Sequence, residues 1–143
     1  RGARALFYHG RTLSALMQIG ERARLQNIDL YSRRKAGVGS LHLAVKFFLD
    51  AVQNPDLVLP YARANRHPGP SKNYRKQDLG GEGTLGWIAP YIARFPFHEN
   101  AKTLKSLDGT ESNLTPQVKA TVLRNGGSTE WIGVDAKCFY STP

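Results

Sequence analysis

The stretch "SLHLAVKFFLDAVQN", residues 40–54, carries a spacing that a helix satisfies and a strand does not. Leu41, Ala44, Val45, Phe48, Leu49 and Val52 recur at i, i+3, i+4 and i+7. A helix gathers them on one side, whereas a strand would scatter them over both faces. Ser40 stands where an N-cap is needed, because its hydroxyl accepts one of the first backbone N–H groups that lack a partner. Asn54-Pro55 ends the pattern, since proline disfavours helical backbone in the residue before it.

Upstream, residues 4–25 show the same period. Leu6, Leu13, Leu16, Met17 and Gly20 fall on one arc of the helical projection. Arg1, Arg4, Tyr8, Arg11 and Arg22 fall on a roughly opposite arc about 80° wide. Residues 27–40, "NIDLYSRRKAGVGS", break the pattern and read as a connection. Downstream, the composition changes between Pro60 and Gly83, which hold three Pro, four Gly, three Arg and two Lys and no steady apolar face. That stretch predicts a long exposed loop, either functional or a linker.

Helical spacing resumes in "TLGWIAPYIARFPF", residues 84–97, where Leu85, Ile88, Ile92 and Phe95 align. Pro90 lacks a backbone donor and predicts a kink or a break there. Residues 99–107 fit one further short helix. From Thr115 onward, "TVLRNGG" and "WIGVDAKCFYS" place β-branched and aromatic residues around a Gly-Gly pair, which predicts extended packing. The fold class read from these patterns is all-α, in helical hairpins with long loops and a short extended C-terminal tail.

A chain of 143 residues fits one domain, and its 41 % hydrophobic and 22 % charged content lies in the range of folded globular proteins. No apolar run approaches the ~18 residues that would cross a bilayer. The first residue is Arg, and the chain reads as a segment of something longer. Twenty Lys and Arg against eleven Asp and Glu give a net charge of +9, which favours polyanionic partners: acidic polysaccharide, nucleic acid or anionic membrane. Cys138 stands alone, which rules out an internal disulfide, and the four His lie far apart with no metal-ligand spacing. No metal or organic cofactor is expected.

The first helix concentrates the chemistry. Arg1 lies seven residues before Tyr8, and Arg4 and Arg11 flank it at i−4 and i+3. A phenol is a poor base at neutral pH, but neighbouring guanidinium groups favour its phenolate. Guanidinium groups also hold carboxylates through forked hydrogen bonds. Together these groups suit removal of a proton from a carbon next to a carboxylate, with the phenol oxygen receiving or returning it. The competing reading is a solvated cationic face with Tyr8 packed over the Arg stems. Trp87 fits either a sugar-stacking surface or the core. Lys72, Arg75 and Lys76 with Tyr74 fit a grip on polymer carboxylates or a solvated charge run.

Two of these segments resemble a known family. "RGARALFYHGRTLSALMQIGERARLQNIDLY" is similar to a segment of the alginate lyases of polysaccharide lyase family five, and "GTLGWIAPYIARFP" resembles a later segment of the same family. "LRNGG" is a weaker match to its closing segment. The resemblance implies an incomplete (α/α) toroid, with residues 1–143 as the C-terminal portion of one domain whose N-terminal part precedes Arg1. It implies β-elimination on a polyuronate such as alginate. Tyr8 then serves as general acid and base, and Arg1 neutralises the uronate carboxylate. Arg4, His9, Arg11 and Trp87 are assigned to substrate binding. The family's adjacent Asn and His belong upstream of this segment, and His9 does not replace that His. Many members carry Asn after Tyr-His where this chain has Gly10.

The implied partner is an anionic polysaccharide, handled by a monomer in the periplasm or outside the cell, with no nucleic acid and no membrane insertion. The alternative is a non-catalytic polyanion-binding module for acidic polysaccharide or nucleic acid, which the net charge favours equally.

Overall fold

A computed structural model describes residues 2–34, 39–63, 77–79, 84–107 and 114–123. Among these residues the regular elements are all helical: α1 (Ala5–Leu25), α2 (Leu41–Gln53), α3 (Leu59–Arg63), α4 (Ile88–Arg94), α5 (Glu99–Ser106) and α6 (Thr115–Leu123). Two 3-10 turns, Gly2–Arg4 and Pro55–Val58, precede α1 and α3. The all-α class is therefore correct for the described residues. Residues 72–76 and 124–143, which hold the basic run and the tail, lie outside them.

The centre of the molecule is α2, which packs on α1, on α5 and on the turn that follows it. Its N-cap forms as the sequence indicates, with the Ser40 hydroxyl accepting the Leu43 N–H at 3.3 Å. Val45, Phe48, Leu49, Ala51 and Val52 are buried, and Leu41 and Ala44 pack against the same core. Each large apolar side chain removed from water in this way contributes about 1.5–3 kcal/mol before chain entropy is set against it. Asn54 stops the helix and starts the next turn by accepting the Asp56 N–H at 3.1 Å.

The buried stripe of α1 consists of Leu6, Gly10, Leu13, Ser14, Met17 and Gly20. Leu16, assigned to the inner arc by projection, is 43 % exposed and sits at the edge of the stripe. Both glycines of the stripe allow close approach. A Cβ at Gly10 would meet the Thr84 methyl and carbonyl at 2.5 and 2.6 Å, and one at Gly20 would meet the Tyr31 ring at 2.4 Å. The helix ends in a Schellman motif, with Ile28 N–H on Ala23 O and Asn27 N–H on Arg24 O, both at 2.9 Å. That motif explains the positive φ of 60° at Asn27.

Three expectations change in the structure. Pro90 does not kink a helix, because α4 begins at Ile88 and places the proline in its first turn, where no intrahelical donor is required. Residues Thr115–Leu123 are helical rather than extended: Leu114, Thr115, Val118 and Thr121 are buried at helical spacing, and that packing overrides the β-branched preference of Val118, Thr121 and Val122. The Pro60–Gly83 stretch is not exposed throughout. Gln77 and Leu79 are buried.

Candidate active site

The N-terminus of α1 lacks a cap of its own, since Arg4 provides no side-chain bond. The distant segment Gln77–Leu79 supplies one. Gln77 Oε1 accepts the Leu6 N–H at 3.1 Å, and Asp78 N–H donates to Ala3 O at 2.9 Å. A buried N–H in the first turn is thereby satisfied, and the start of α1 is fixed to a segment seventy-one positions away. Gln77 escaped the sequence reading because an amide cap from so far along the chain leaves no local signature.

Tyr8 stands one turn beyond this anchor and is 40 % exposed. Its own carbonyl accepts the Thr12 hydroxyl at 2.9 Å. Phe7 meets the Tyr8 ring edge-on, with centroids 5.1 Å apart. The guanidinium groups of Arg4 and Arg11 lie 5.7 and 5.5 Å from the centroid of Phe7, one on each side along the helix. The structure thus brings Arg4, Tyr8 and Arg11 to one region, organised by Phe7. Spacing does suggest that role, since Phe7 is i+3 from Arg4 and i−4 from Arg11. Arg1 lies outside the described residues.

The other assigned residues are placed elsewhere. His9 faces α2: its Nε2 lies 2.9 Å from Ala44 O and its ring stacks on Phe48, with centroids 6.0 Å apart. That hydrogen bond to a carbonyl places a proton on Nε2 and ties α1 to α2. Trp87, assigned to substrate binding, is fully buried at 0 % exposure, edge-on to Phe48 and near Tyr91. With no ring face exposed it belongs to the core. Gly10 likewise lies on the buried side, against Thr84 and Phe48. A side chain there would have no room, so the glycine serves packing and leaves the face that carries Tyr8 unchanged.

A second polar assembly closes the far end of α1. The Glu21 carboxylate accepts from Arg94 Nε at 2.9 Å and Nη2 at 2.6 Å, from the Tyr31 hydroxyl at 2.9 Å and from Arg24 Nε at 3.3 Å. Burial pushes this carboxyl up, but the bonds from Arg94, Tyr31 and Arg24 outweigh it and hold Glu21 below the ordinary carboxylate value. Close by, the Tyr91 hydroxyl lies 2.8 Å from His42 Nδ1 and 3.3 Å from His98 Nδ1, and accepts from Asn100 Nδ2 at 3.1 Å. Burial pushes the Tyr91 phenol up to about 12. The His42 and His98 rings stack with centroids 4.1 Å apart. Burial, then repulsion from His98 and Arg34, pushes His42 below its ordinary value. Both histidines hold structure here, although they lie far apart in sequence.

Among the described residues, no three His, Cys, Asp or Glu side chains group as metal ligands, and no helix is long and apolar enough to cross a membrane.

Residues 1–58 match the alginate lyase family. The matched stretch spans α1, α2 and the Pro55–Val58 turn, and so contains the Arg4–Tyr8–Arg11 face. No curated protein and no solved structure matches the chain.

Proposed function

We propose that the chain is the C-terminal portion of a polysaccharide lyase domain of the family-five alginate type, built as an incomplete (α/α) toroid. It acts by β-elimination on a polyuronate. Tyr8 gives and takes the proton, Arg1 neutralises the uronate carboxylate, and Arg4 and Arg11 bind neighbouring carboxylates of the polymer. The observation that carries this reading is the exposure of Tyr8 beside two guanidinium groups, inside the stretch that matches the alginate lyase family.

The chemistry follows from the groups present. A hydrogen on the carbon next to a carboxylate becomes more acidic when guanidinium groups neutralise that carboxylate. The phenol oxygen then accepts that proton or supplies one to the departing glycosidic oxygen, and a C=C bond forms as the C–O bond breaks. Exposure of the hydroxyl matters, because a buried phenol such as Tyr91 does not meet a polymer. A uronate polymer lies outside the cytoplasm, so a periplasmic or secreted site of action accompanies this reading.

The test is direct. The full-length enzyme is incubated with polymannuronate, and the ultraviolet absorbance of the new conjugated double bond is followed. Absorbance that rises with the native protein and stays flat with Tyr8→Phe, at unchanged polymer binding, supports the proposal. A Tyr8→Phe enzyme with full rate removes Tyr8 from the chemistry. Polymer binding without any absorbance gain from the native protein favours the non-catalytic polyanion-binding alternative.

A further inference from the structure

A cleft of about 580 Å³ opens at the C-terminal end of α1, beneath the loop that leads toward α2. Its walls include Arg24, Asp29, Tyr31, His42, Arg94 and Phe95. Tyr8 and Arg24 are separated by about 24 Å along the axis at the 1.5 Å rise of a helix, so this cleft is remote from the Tyr8 face. We propose that it binds a small carboxylated sugar, of the size of one or two uronic acid units, independently of any chemistry at Tyr8.

Charge points to an anion. Two guanidinium groups, from Arg24 and Arg94, share the single carboxylate of Glu21. Arg24 uses only its Nε there, and its side chain is 49 % exposed, so its paired amino groups remain for a ligand. Asp29, the acidic residue of the wall, is folded back on its own loop and accepts the Tyr31 and Ser32 N–H groups at 2.9 and 3.2 Å. Those bonds, chiefly the ones from Ser32, hold it below the ordinary carboxylate value and engaged with the loop. His42 has Nδ1 on the Tyr91 hydroxyl, which leaves Nε2 as its second polar atom. Arg24 therefore presents donors to the cleft beyond the one that Glu21 takes up.

Ring surfaces point to a sugar rather than to an inorganic anion. Phe95 meets Tyr31 edge-on at 5.2 Å and His42 edge-on at 4.7 Å, forming an aromatic corner beside the guanidinium groups. The C–H face of a pyranose packs on the partly exposed Phe95 ring, which Tyr31 and His42 hold in place, while its carboxylate reaches a guanidinium fork. The volume lies within the range of small-ligand pockets. The corner is also rigid: Gly20 allows the Tyr31 ring to rest on α1, and Glu21 holds its hydroxyl. A preorganised wall loses little entropy on binding.

The proposal rests on the side chains of the cleft alone and is separable from the lyase reading. Sodium glucuronate is titrated into the isotopically labelled intact chain, with glucose and sodium acetate as controls. Saturable amide shifts at Asn27, Ser32 and Phe95 with glucuronate, at least tenfold weaker with either control, support it. Equal responses to acetate overturn the sugar assignment, and equal responses to glucose overturn the carboxylate assignment. Shifts centred on Tyr8 instead, or no shifts at all, overturn the site. Arg24→Gln, a change at a half-exposed side chain, is expected to weaken glucuronate binding tenfold or more. Unchanged affinity in that variant overturns the role given to Arg24.

Discussion

At the N-terminal end of α1, Tyr8 is exposed beside Arg4, Phe7 and Arg11. At the C-terminal end, Tyr31 is buried beneath Glu21, Arg24 and Arg94. Both ends combine a phenol with two guanidinium groups, and at the second end the phenol and both cations meet on one carboxylate, Glu21. Glu21 converts its end into a clamp, because it draws the hydroxyl and both cations onto one acceptor. At the first end the guanidinium groups of Arg4 and Arg11 are arranged around the Phe7 ring. The same residue types thus line an exposed face at one end, where we propose the reaction, and form a cohesive clamp at the other, and burial separates the two: Tyr8 is 40 % exposed and Tyr31 is buried.

The largest effect is expected from Tyr8→Phe. If Tyr8 transfers the proton as proposed, its loss lowers kcat about 10²–10⁴-fold, and the melting temperature should hold because the change removes one oxygen from a 40 % exposed side chain. Rate measured by absorbance alongside a thermal melt checks both halves. A variant that loses its melting transition would show the N-terminal end to be as structural as the other, and the contrast would fail.

Glu21→Ala is the complementary change. It removes the carboxylate that partly buried Arg94 grips and leaves the Tyr31 hydroxyl with Met17 O in place of Glu21, and is expected to cost about 1.5–3 kcal/mol in urea unfolding. The pH dependence has a definite sign. Glu21 is held below its ordinary value in the folded protein, so its contribution is full above about pH 4.5 and fades as pH falls through the folded value. The native protein should lose stability in that acid range, and the variant should lose less.

Gln77→Ala addresses the anchor of the end that carries Tyr8. The Leu6 N–H would be left buried without its acceptor, at a cost of about 1–3 kcal/mol. Hydrogen exchange at the first turn of α1 is the sharper readout, since exchange there should accelerate more than at α5. Equal acceleration everywhere would mean that Gln77 supports the whole fold rather than the start of α1.

These three positions differ in how well the sequence reveals them. The helix periods of α1 and α2, the Ser40 cap and the Asn54-Pro55 stop are local, so they are readable from neighbouring residues. Tyr8 is found by spacing along one helix, and the family match covers its segment. Trp87 was ambiguous because helical spacing marks a buried face without distinguishing core from groove, and tertiary packing alone places it at 0 % exposure. The Glu21–Arg94 clamp and the Gln77 cap join positions more than seventy residues apart and leave no short-range pattern. The helix at Thr115–Leu123 was misread because local β-propensity pointed one way and packing of Leu114, Val118 and Thr121 decided the other.

A smaller effect is expected at the His42–Tyr91–His98 junction. Burial holds His42 below its ordinary value, so the unfolded chain takes up a proton there before the folded one does. Stability therefore falls as pH drops below about 6.5, toward the folded value. His42→Gln should flatten the dependence of the urea midpoint between pH 7.5 and pH 5.5. Opposite in direction, Tyr91 keeps its proton up to about 12, so stability should decline as pH rises past 10. A midpoint that does not vary over either range would mean that the junction opens without cost.

The smallest effect belongs to Arg4→Ala, at the exposed end. Arg4 is exposed and lies 5.7 Å from the Phe7 ring centre, an arrangement worth about 0.5–1 kcal/mol at the surface. Near a helix N-terminus a cation opposes the dipole by about 0.3–1 kcal/mol, so the two contributions nearly cancel. The net change in stability should stay within about 0.5 kcal/mol. Polymer binding should respond more, because a long anion meets the cations of this face at once and its affinity falls steeply with salt. Arg4→Ala should therefore raise KM for polymannuronate at low ionic strength while the melting temperature holds. A destabilisation comparable to that of Glu21→Ala would mean that Arg4 is held by the fold as Arg94 is, and the two ends of α1 would no longer differ in kind.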